Sequence, residues 1–444
     1  MRELTQQMIA DSLTTAIPPY THRDAYLPKV PGKALAVIGM RRSGKTTFLW
    51  QCLAERLASG TPRNALLYMN FEDERLVGME ATDLQWVVEE YYRQQPQWRE
   101  VRTVTFFLDE IQAVPGWETF ARRLMDTEKV ELFLSGSSAR LLSREVATSM
   151  RGRAMEVRIY PFSFRESLRH EGVEPEAPWS QLGKAARSDL DSRLRSYLTT
   201  GGFPEAQGVS SRDRLQLLQT YVDVAVLRDI IERYGISNPV ALRWLQRHLL
   251  ANPASAFSIQ KFYDVLRSQG IPVSKDTLHA MLMHLEDSFL IRTVSIHSAS
   301  ERQRMVNPRK AYPIDPGLIP VYERSGRLNL GQALETVVLI ELERGGYETA
   351  YVRTREGMEV DFMGREPSGA WHLIQVCTDI SNPATWEREV RALVKAATMY
   401  PEAKATLLTL DSVPPQPALP PAITWEPAAG WLLGQRREAA KNAA

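Results

Sequence analysis

The sequence predicts an α/β protein: a core on a parallel sheet, then a helical module, then a second, smaller α/β domain. Three observations predict it. An apolar strand, Ala34 to Ile38, runs straight into Gly39-Met-Arg-Arg-Ser-Gly-Lys-Thr46. Apolar strands then alternate with helical stretches up to Tyr160, which is the rhythm of βαβ units. Beyond residue 210 the apolar spacing turns to 3.6 residues, and the last third returns to mixed helices and strands.

The junction at Gly39 fits G-x-x-x-x-G-K-[ST], a loop that cradles phosphates. Its glycines let the backbone turn tightly enough for N–H groups to face a polyphosphate. Lys45 can reach the β- and γ-phosphates, and Thr46 can ligate Mg²⁺. The candidate nucleotide-binding residues are Gly39, Met40, Arg41, Arg42, Ser43, Gly44, Lys45, Thr46 and Thr47. Thr46 to Leu57 reads as a helix whose N-terminal dipole favours the anion.

Ala65 to Asn70 reads as a buried strand and Thr82 to Tyr92 as a helix. The next strand, Val104 to Leu108, ends in Asp109-Glu110. Two carboxylates there suit an ATPase: Asp109 to hold Mg²⁺ through its water shell, Glu110 to orient and polarise the attacking water. Strand Val130 to Leu134 ends in Ser135-Gly-Ser-Ser138. Ser135 would sit beside the γ-phosphate if this strand neighbours the one carrying Asp109, and the same hydroxyls can cap a helix over Ala139 to Ser149. Arg151-Gly-Arg153 precedes a strand from Ala154 to Tyr160. An arginine there is placed to reach a neighbouring subunit's phosphate and stabilise transition-state charge, or it belongs to a solvated basic turn.

Met40 to Thr47, Phe107-Leu-Asp-Glu-Ile-Gln112 with Trp117, Leu134 to Ser138, Gly152-Arg153, Pro161-Phe-Ser-Phe-Arg-Glu166 and Gly201-Gly-Phe-Pro-Glu205 together resemble the AAA-type ATPases of bacteria and archaea. More narrowly, the chain is similar to the group with a C-terminal domain of unknown function that resembles a restriction endonuclease. The resemblance implies an AAA-like ATP-binding core with Lys45, Thr46, Asp109 and Glu110 as its machinery. It favours Arg153 over Arg151 as the finger.

In the middle, Gln216 to Tyr234 and Val240 to Ala251 read as helices, with Asn252-Pro253 ending the second. Ser258 to Gln269, a Gly270-Ile-Pro turn and Ser274 to Asp287 have the shape of a helix-turn-helix. Phe289 to Ile296 could pair with Ala311-Tyr312 as a wing, and the module is expected to be an all-α winged-helix module. Eight basic and five acidic residues lie between Lys261 and Lys310, with Arg302, Arg304, Arg309 and Lys310 clustered at the wing as candidate phosphate contacts. Winged helices also serve as lids and subunit contacts. His279 and His284 read as helix-surface residues.

The last third orders as helix Leu328 to Arg344, strands Thr349 to Arg353, Met358 to Met363 and Trp371 to Val376, helix Thr385 to Met399, and strand Ala405 to Leu410. That order matches the core of the restriction-endonuclease-like fold. Active members build a metal site from an acid on the first helix, an Asp on the second strand and Glu-x-Lys on the third. Glu335 and Asp361 match the first two, but the third reads Gln375-Val-Cys377. Gln375 brings no charge for Mg²⁺ and Cys377 no cation for a scissile phosphate, so the domain is expected to be degenerate. Val413 to Pro427 and Trp431-Leu-Leu433 are expected to wrap back onto it.

Lys plus Arg (54) nearly balance Asp plus Glu (53), which excludes a global basic field and leaves nucleic-acid contact to local patches. Cys52 and Cys377 lie far apart and form no metal-spaced set. Behind Arg2-Glu3 there is no apolar signal region, and no apolar run is long enough to span a bilayer, so a cytoplasmic protein without a membrane partner is expected. The expected domains are 1–210 (ATPase), 211–312 (winged helix), 313–435 (endonuclease-like) and a tail, 436–444. The reading that follows is an ATP- and Mg²⁺-dependent ATPase that remodels or translocates DNA, branched DNA included, as a homo-oligomer such as a hexameric ring. A nucleotide-gated switch on a protein partner and an ATP-dependent nuclease are the alternatives.

Overall fold

The structure is a computed structural model that describes residues 2–136, 150, 152–324, 326, 329–378, 383–416 and 418–434. Ser137, Ser138, the helix expected over Ala139 to Ser149, Arg151 and the tail 436–444 lie outside the described residues. The chain divides into two units, Met1–Tyr160 with Asp287–Phe289, and Pro161–Glu286 with Leu290–Ala444. No helix among the described residues is long and apolar enough to cross a membrane.

The first unit runs α1 (Arg2–Thr14), β1 (Ala34–Ile38), α2 (Lys45–Ala58), β2 (Leu66–Asn70), α3 (Ala81–Gln94), β3 (Val104–Asp109), α4 (Trp117–Thr127), β4 (Val130–Gly136) and β5 (Ala154–Arg158). All five strands are parallel, in the order β2-β3-β4-β1-β5. A parallel sheet covered on both faces needs unbroken apolar strands. β1 (Ala-Leu-Ala-Val-Ile) and β3 are buried at every position. Phe107 and Phe133 are register partners whose rings stack at 4.9 Å, and Phe48, Leu49 and Leu53 of α2 join the same core. Truncating either ring to alanine should cost about 3–5 kcal/mol. β4 lies between β1 and β3, so the ends of these three strands meet at one edge of the sheet.

The second unit begins with α5 (Phe164–His170), α6 (Lys184–Thr200), α7 (Ser211–Val224) and α8 (Pro239–Ala251). The Pro161-to-Glu166 motif is a helix start: Glu166 N–H donates to Ser163 Oγ at 3.1 Å and Ser163 N–H to Glu166 Oε2 at 2.9 Å, a reciprocal cap. The Gly201-Gly202 motif has a spatial reason too. Gly202 N–H donates to the buried Asp315 carboxylate at 2.7 Å, and a Cβ on Gly202 would lie 2.0 Å from the Phe162 carbonyl oxygen. The helix expected over Gln216 to Tyr234 is α7 followed by a π-helical stretch, Ala225–Glu232.

Next come β6 (Ala256–Phe257), α9 (Ile259–Ser268), α10 (Lys275–Asp287), β7 (Ile291–Val294), α11 (Glu301–Val306) and β8 (Arg309–Pro313). The strands form an antiparallel sheet in the order β6-β8-β7. This corrects the expectation of an all-α module: Ile291-Arg-Thr-Val294 pairs antiparallel with β8 and buries its two end residues.

The C-terminal part holds α12 (Leu330–Arg344), β9 (Glu348–Arg353), β10 (Glu359–Arg365), β11 (Trp371–Cys377), α13 (Pro383–Met399), β12 (Ala403–Thr409) and β13 (Ile423–Pro427). Its sheet runs β13-β12-β11-β10-β9, antiparallel from β9 to β11 and parallel from β11 to β13. Consecutive residues serve opposite faces: Leu373 and Leu407 pack with Leu393 of α13, whereas Ile374 and Leu408 pack with Leu334 and Val338 of α12. The Pro-rich stretch contributes β13, and Trp431, Leu432 and Leu433 are buried in the α12-side core.

Candidate functional site

β1 delivers the phosphate loop at its C-terminal end. A Cβ on Gly39 would lie 2.1 Å from the carbonyl oxygen of Ile159, so only glycine leaves the sheet this way. Arg42 (φ 65°) and Gly44 (φ 98°) take left-handed backbone angles that curl the loop before α2 starts. Lys45 Nζ lies inside the loop and donates to the Gly39 and Met40 carbonyls, each at 3.2 Å. Ser43 Oγ is buried with no hydrogen-bond partner among the described residues. Met40 is buried, Arg41 reaches Glu72 at 3.3 Å, Arg42 is exposed, and Thr47 is half-buried on the first turn of α2. An ammonium, a buried unpartnered hydroxyl and a helix N-terminus on one loop fit a polyphosphate.

Asp109 ends β3 and is fully buried. Thr46 Oγ1 and Tyr68 OH each donate to its Oδ2 at 2.8 Å, and Ser135 Oγ donates to Oδ1. Burial pushes the Asp109 carboxyl up from its ordinary range, while the three donors pull the other way. Thr46 and Asp109 would be the residues that hold a divalent cation. Their hard oxygens fit Mg²⁺, which takes one or two protein oxygens and completes its shell with phosphates and waters. When bound, such an ion supplies positive charge to the phosphate oxygens. Among the described residues no three His, Cys, Asp or Glu side chains converge to hold a metal by themselves.

Glu110 leaves the strand in the left-handed region at φ 51°, an uncommon conformation for a residue with a Cβ. Its N–H donates to Ser135 Oγ at 3.0 Å, its Oε2 accepts from Gln112 Nε2, and its Oε1 lies 4.0 Å from Lys45 Nζ. The carboxylate is therefore turned back towards the phosphate loop. Ser135 reaches both acids because β4 pairs directly beside β3, whose end carries them.

Arg153 lies elsewhere. Its carbonyl accepts from Ala34 N–H at 2.8 Å, at the start of β1, whereas the phosphate loop is at the far end of that strand. Its half-exposed guanidinium pairs with Asp126.

A model of the AAA domain matches residues 31–168, and a model described as a domain of unknown function, DUF8612, matches residues 191–326. An uncharacterized protein of Methanocaldococcus jannaschii, MJ1544, is 31% identical over 400 residues, covering 88% of this chain and 85% of the relative. The chain belongs to the same family as MJ1544, with an AAA domain over residues 31–168. An uncharacterized protein of Haemophilus influenzae is 30% identical over 331 residues, covering 74% of this chain and 79% of the relative. Among solved structures, the Walker-type ATPase PABY2304 of Pyrococcus abyssi aligns at 15% identity, 72% of this chain and 95% of that one, with a TM-score of 0.40. The Aeropyrum pernix ORC1 protein in complex with DNA aligns at 14% identity, 72% and 90%, with a TM-score of 0.27.

Three residues of the ATPase site escaped the sequence reading. Tyr68 holds Asp109, and its position facing the core of β2 with a polar tip was the available signal. Gln112 steadies Glu110 from two residues away. Arg23 is buried beneath the phosphate loop, where its guanidinium donates to the Ser43 carbonyl at 2.9 Å and to the Tyr160 carbonyl. Nothing in its local sequence marks it.

In the second unit, Glu335, Asp361, Gln375 and Cys377 line one pocket of about 640 Å³, together with Lys310, Glu359 and Glu389. This corrects the placement of Lys310 alone in the expected basic patch. Lys310 faces the interior at 3% exposure, because its position on β8 points it at three carboxylates. Arg304 pairs with Glu301 on α11, while Arg302 and Arg309 are exposed. His279 is exposed, and the half-buried His284 ring stacks on Tyr234 at 3.8 Å.

Proposed function

We propose that the ATPase hydrolyses ATP with Mg²⁺ as an oligomer and uses the turnover to grip and remodel or translocate DNA. The observation that carries the hydrolytic part is the Glu110 carboxylate, held by Gln112 and turned towards Lys45 at the open end of the phosphate loop. In this reading the loop amides and Lys45 bind the β- and γ-phosphates, and Thr46 and Asp109 hold the ion. Glu110 takes a proton from the attacking water, and Ser135 keeps both acids in register. The distance between Arg153 and its own phosphate loop supports a role across a subunit interface, after release from Asp126.

For DNA, the support is the helix pair α9 and α10 beside a small antiparallel sheet, with Lys261, Arg267, Lys275, Arg302 and Arg309 exposed on it. A second reading, a nucleotide-gated switch on a protein partner, is favoured by Val240 and Trp244, both about half exposed and one turn apart on α8. ATPase assays with duplex, single-stranded and branched DNA at low and moderate salt separate the two. Stimulation or binding that weakens with salt supports the DNA reading. A rate indifferent to all three DNAs, with no binding at low salt, sinks it and leaves the switch.

A further inference from the structure

The pocket between β8, α12 and the C-terminal sheet holds a cation of the protein's own. Lys310 Nζ lies 2.9 Å from Glu335 Oε1, 2.8 Å from Glu359 Oε1 and 3.2 Å from Asp361 Oδ1. Several neighbouring polar groups are tied to this centre. Tyr312 OH donates to Glu335 Oε1 at 2.6 Å, Gln375 Nε2 to Asp361 Oδ2 at 2.9 Å and to Glu389 Oε2 at 2.7 Å, and Val376 N–H to Asp361 Oδ2 at 3.0 Å. We propose that Lys310 is the resident cation of this carboxylate cage, seated where a divalent ion would otherwise sit, so that the second unit neither binds a metal there nor cuts DNA.

Charge and geometry both argue for it. Asp361 is buried and Glu335 and Glu359 are half-buried; three carboxylates so close repel one another and need a counter-charge, and an ammonium with three donors matches three acceptors. Burial alone would lower the Lys310 pKa, but Asp361, Glu335 and Glu359 outweigh it and hold the ammonium above its ordinary value. The oxygens stand about 3 Å from Nζ, which is hydrogen-bond spacing. A Ca²⁺ ion needs roughly 2.3–2.6 Å, so the acids are set for an ammonium. Gln375 completes the arrangement: a neutral amide there donates to Asp361 and Glu389, where a further carboxylate would add repulsion. The ion pairs also fasten β8 to α12 and β10 within the second unit, so the charge that blocks a metal also holds the fold.

Nucleotide-free protein titrated calorimetrically with Ca²⁺ and with Mg²⁺ tests this. Wild type is expected to bind neither in the second unit, and Lys310→Met is expected to gain Ca²⁺ binding with a Ca²⁺-dependent rise in melting temperature. Both gains should vanish in Lys310→Met/Asp361→Asn. A wild-type site lost on Asp361→Asn would overturn the proposal, and that arm stands even if Lys310→Met does not fold. So would a folded Lys310→Met that binds no Ca²⁺, or Mg²⁺-dependent DNA cleavage by wild type that Lys310→Met abolishes. Retained ATP turnover reports that the Lys310 variants keep an intact first unit.

Discussion

Thr46 Oγ1 donates to Asp109 Oδ2 at 2.8 Å, which ties the first turn of α2 to the end of β3 across the intervening strand β4. The two residues are 63 positions apart in the chain. This one bond joins the phosphate loop to the strand that carries both acids, and the same Asp109 oxygen also accepts from Tyr68. A shift of the loop around a nucleotide is therefore felt directly at Asp109, and through Ser135 at Glu110.

Removal of the loop lysine and of the acid should separate binding from turnover. Lys45→Ala should abolish nucleotide binding. Glu110→Gln should keep ATP and lose turnover by about 10²–10⁴-fold, the usual worth of a general base. Equilibrium binding beside steady-state hydrolysis checks both; loss of ATP binding in Glu110→Gln would count against the assignment.

Arg153→Ala should lower turnover by about 10³-fold or more if the arginine acts as a finger, without loosening ATP. The wild-type rate per subunit should rise with protein concentration, and the variant's should not. Asp126→Ala, which frees the guanidinium, should leave turnover at or above wild type. Normal hydrolysis in Arg153→Ala leaves the finger without support.

Arg23→Ala should remove the guanidinium donor of the Ser43 and Tyr160 carbonyls, at a cost of roughly 1–3 kcal/mol for each hydrogen bond lost. Denaturant midpoints should fall, and ATP affinity should fall with them because Ser43 is part of the loop. Arg23→Lys should restore part of the stability, since an ammonium can satisfy one carbonyl but lacks the planar fork for two.

Asp315 sets a pH dependence. Burial pushes its carboxyl from 3.8 up to about 7, against the pull of the Gly202 and Gly317 amides. The folded state therefore holds the proton more tightly than the unfolded chain. The stability this contributes is full below about pH 4 and is lost as pH rises through 7. Urea unfolding at pH 5 and pH 8 should show a smaller difference for Asp315→Asn than for wild type. An unchanged difference would remove Asp315 as the cause.

The phosphate loop and the acidic strand end were legible in the sequence because each is local. Gly39 to Thr46 carries its chemistry in eight consecutive residues, and Asp109-Glu110 announces itself where an apolar run stops. The strands and helices that were read were legible because burial on one face writes a period of 2 or 3.6 into the chain, whereas α1, α4, α5, α6, α11 and β6 were not read. β13 was not, because five residues between prolines carry too short a pattern, and parallel pairing with β12 supplies what local propensity lacks.

By itself, then, the sequence determined a phosphate-binding loop, a pair of acids and the order of elements around them. Tertiary structure decided which distant groups meet. It set β4 beside β3 so that Ser135 bridges Asp109 and Glu110, and it buried Arg23 under the loop. It also turned Lys310 from an expected surface contact into the centre of a carboxylate cage. The physical reason is the same in each case: hydrogen bonds and charge pairs act over about 3 Å of space, whatever the distance along the chain.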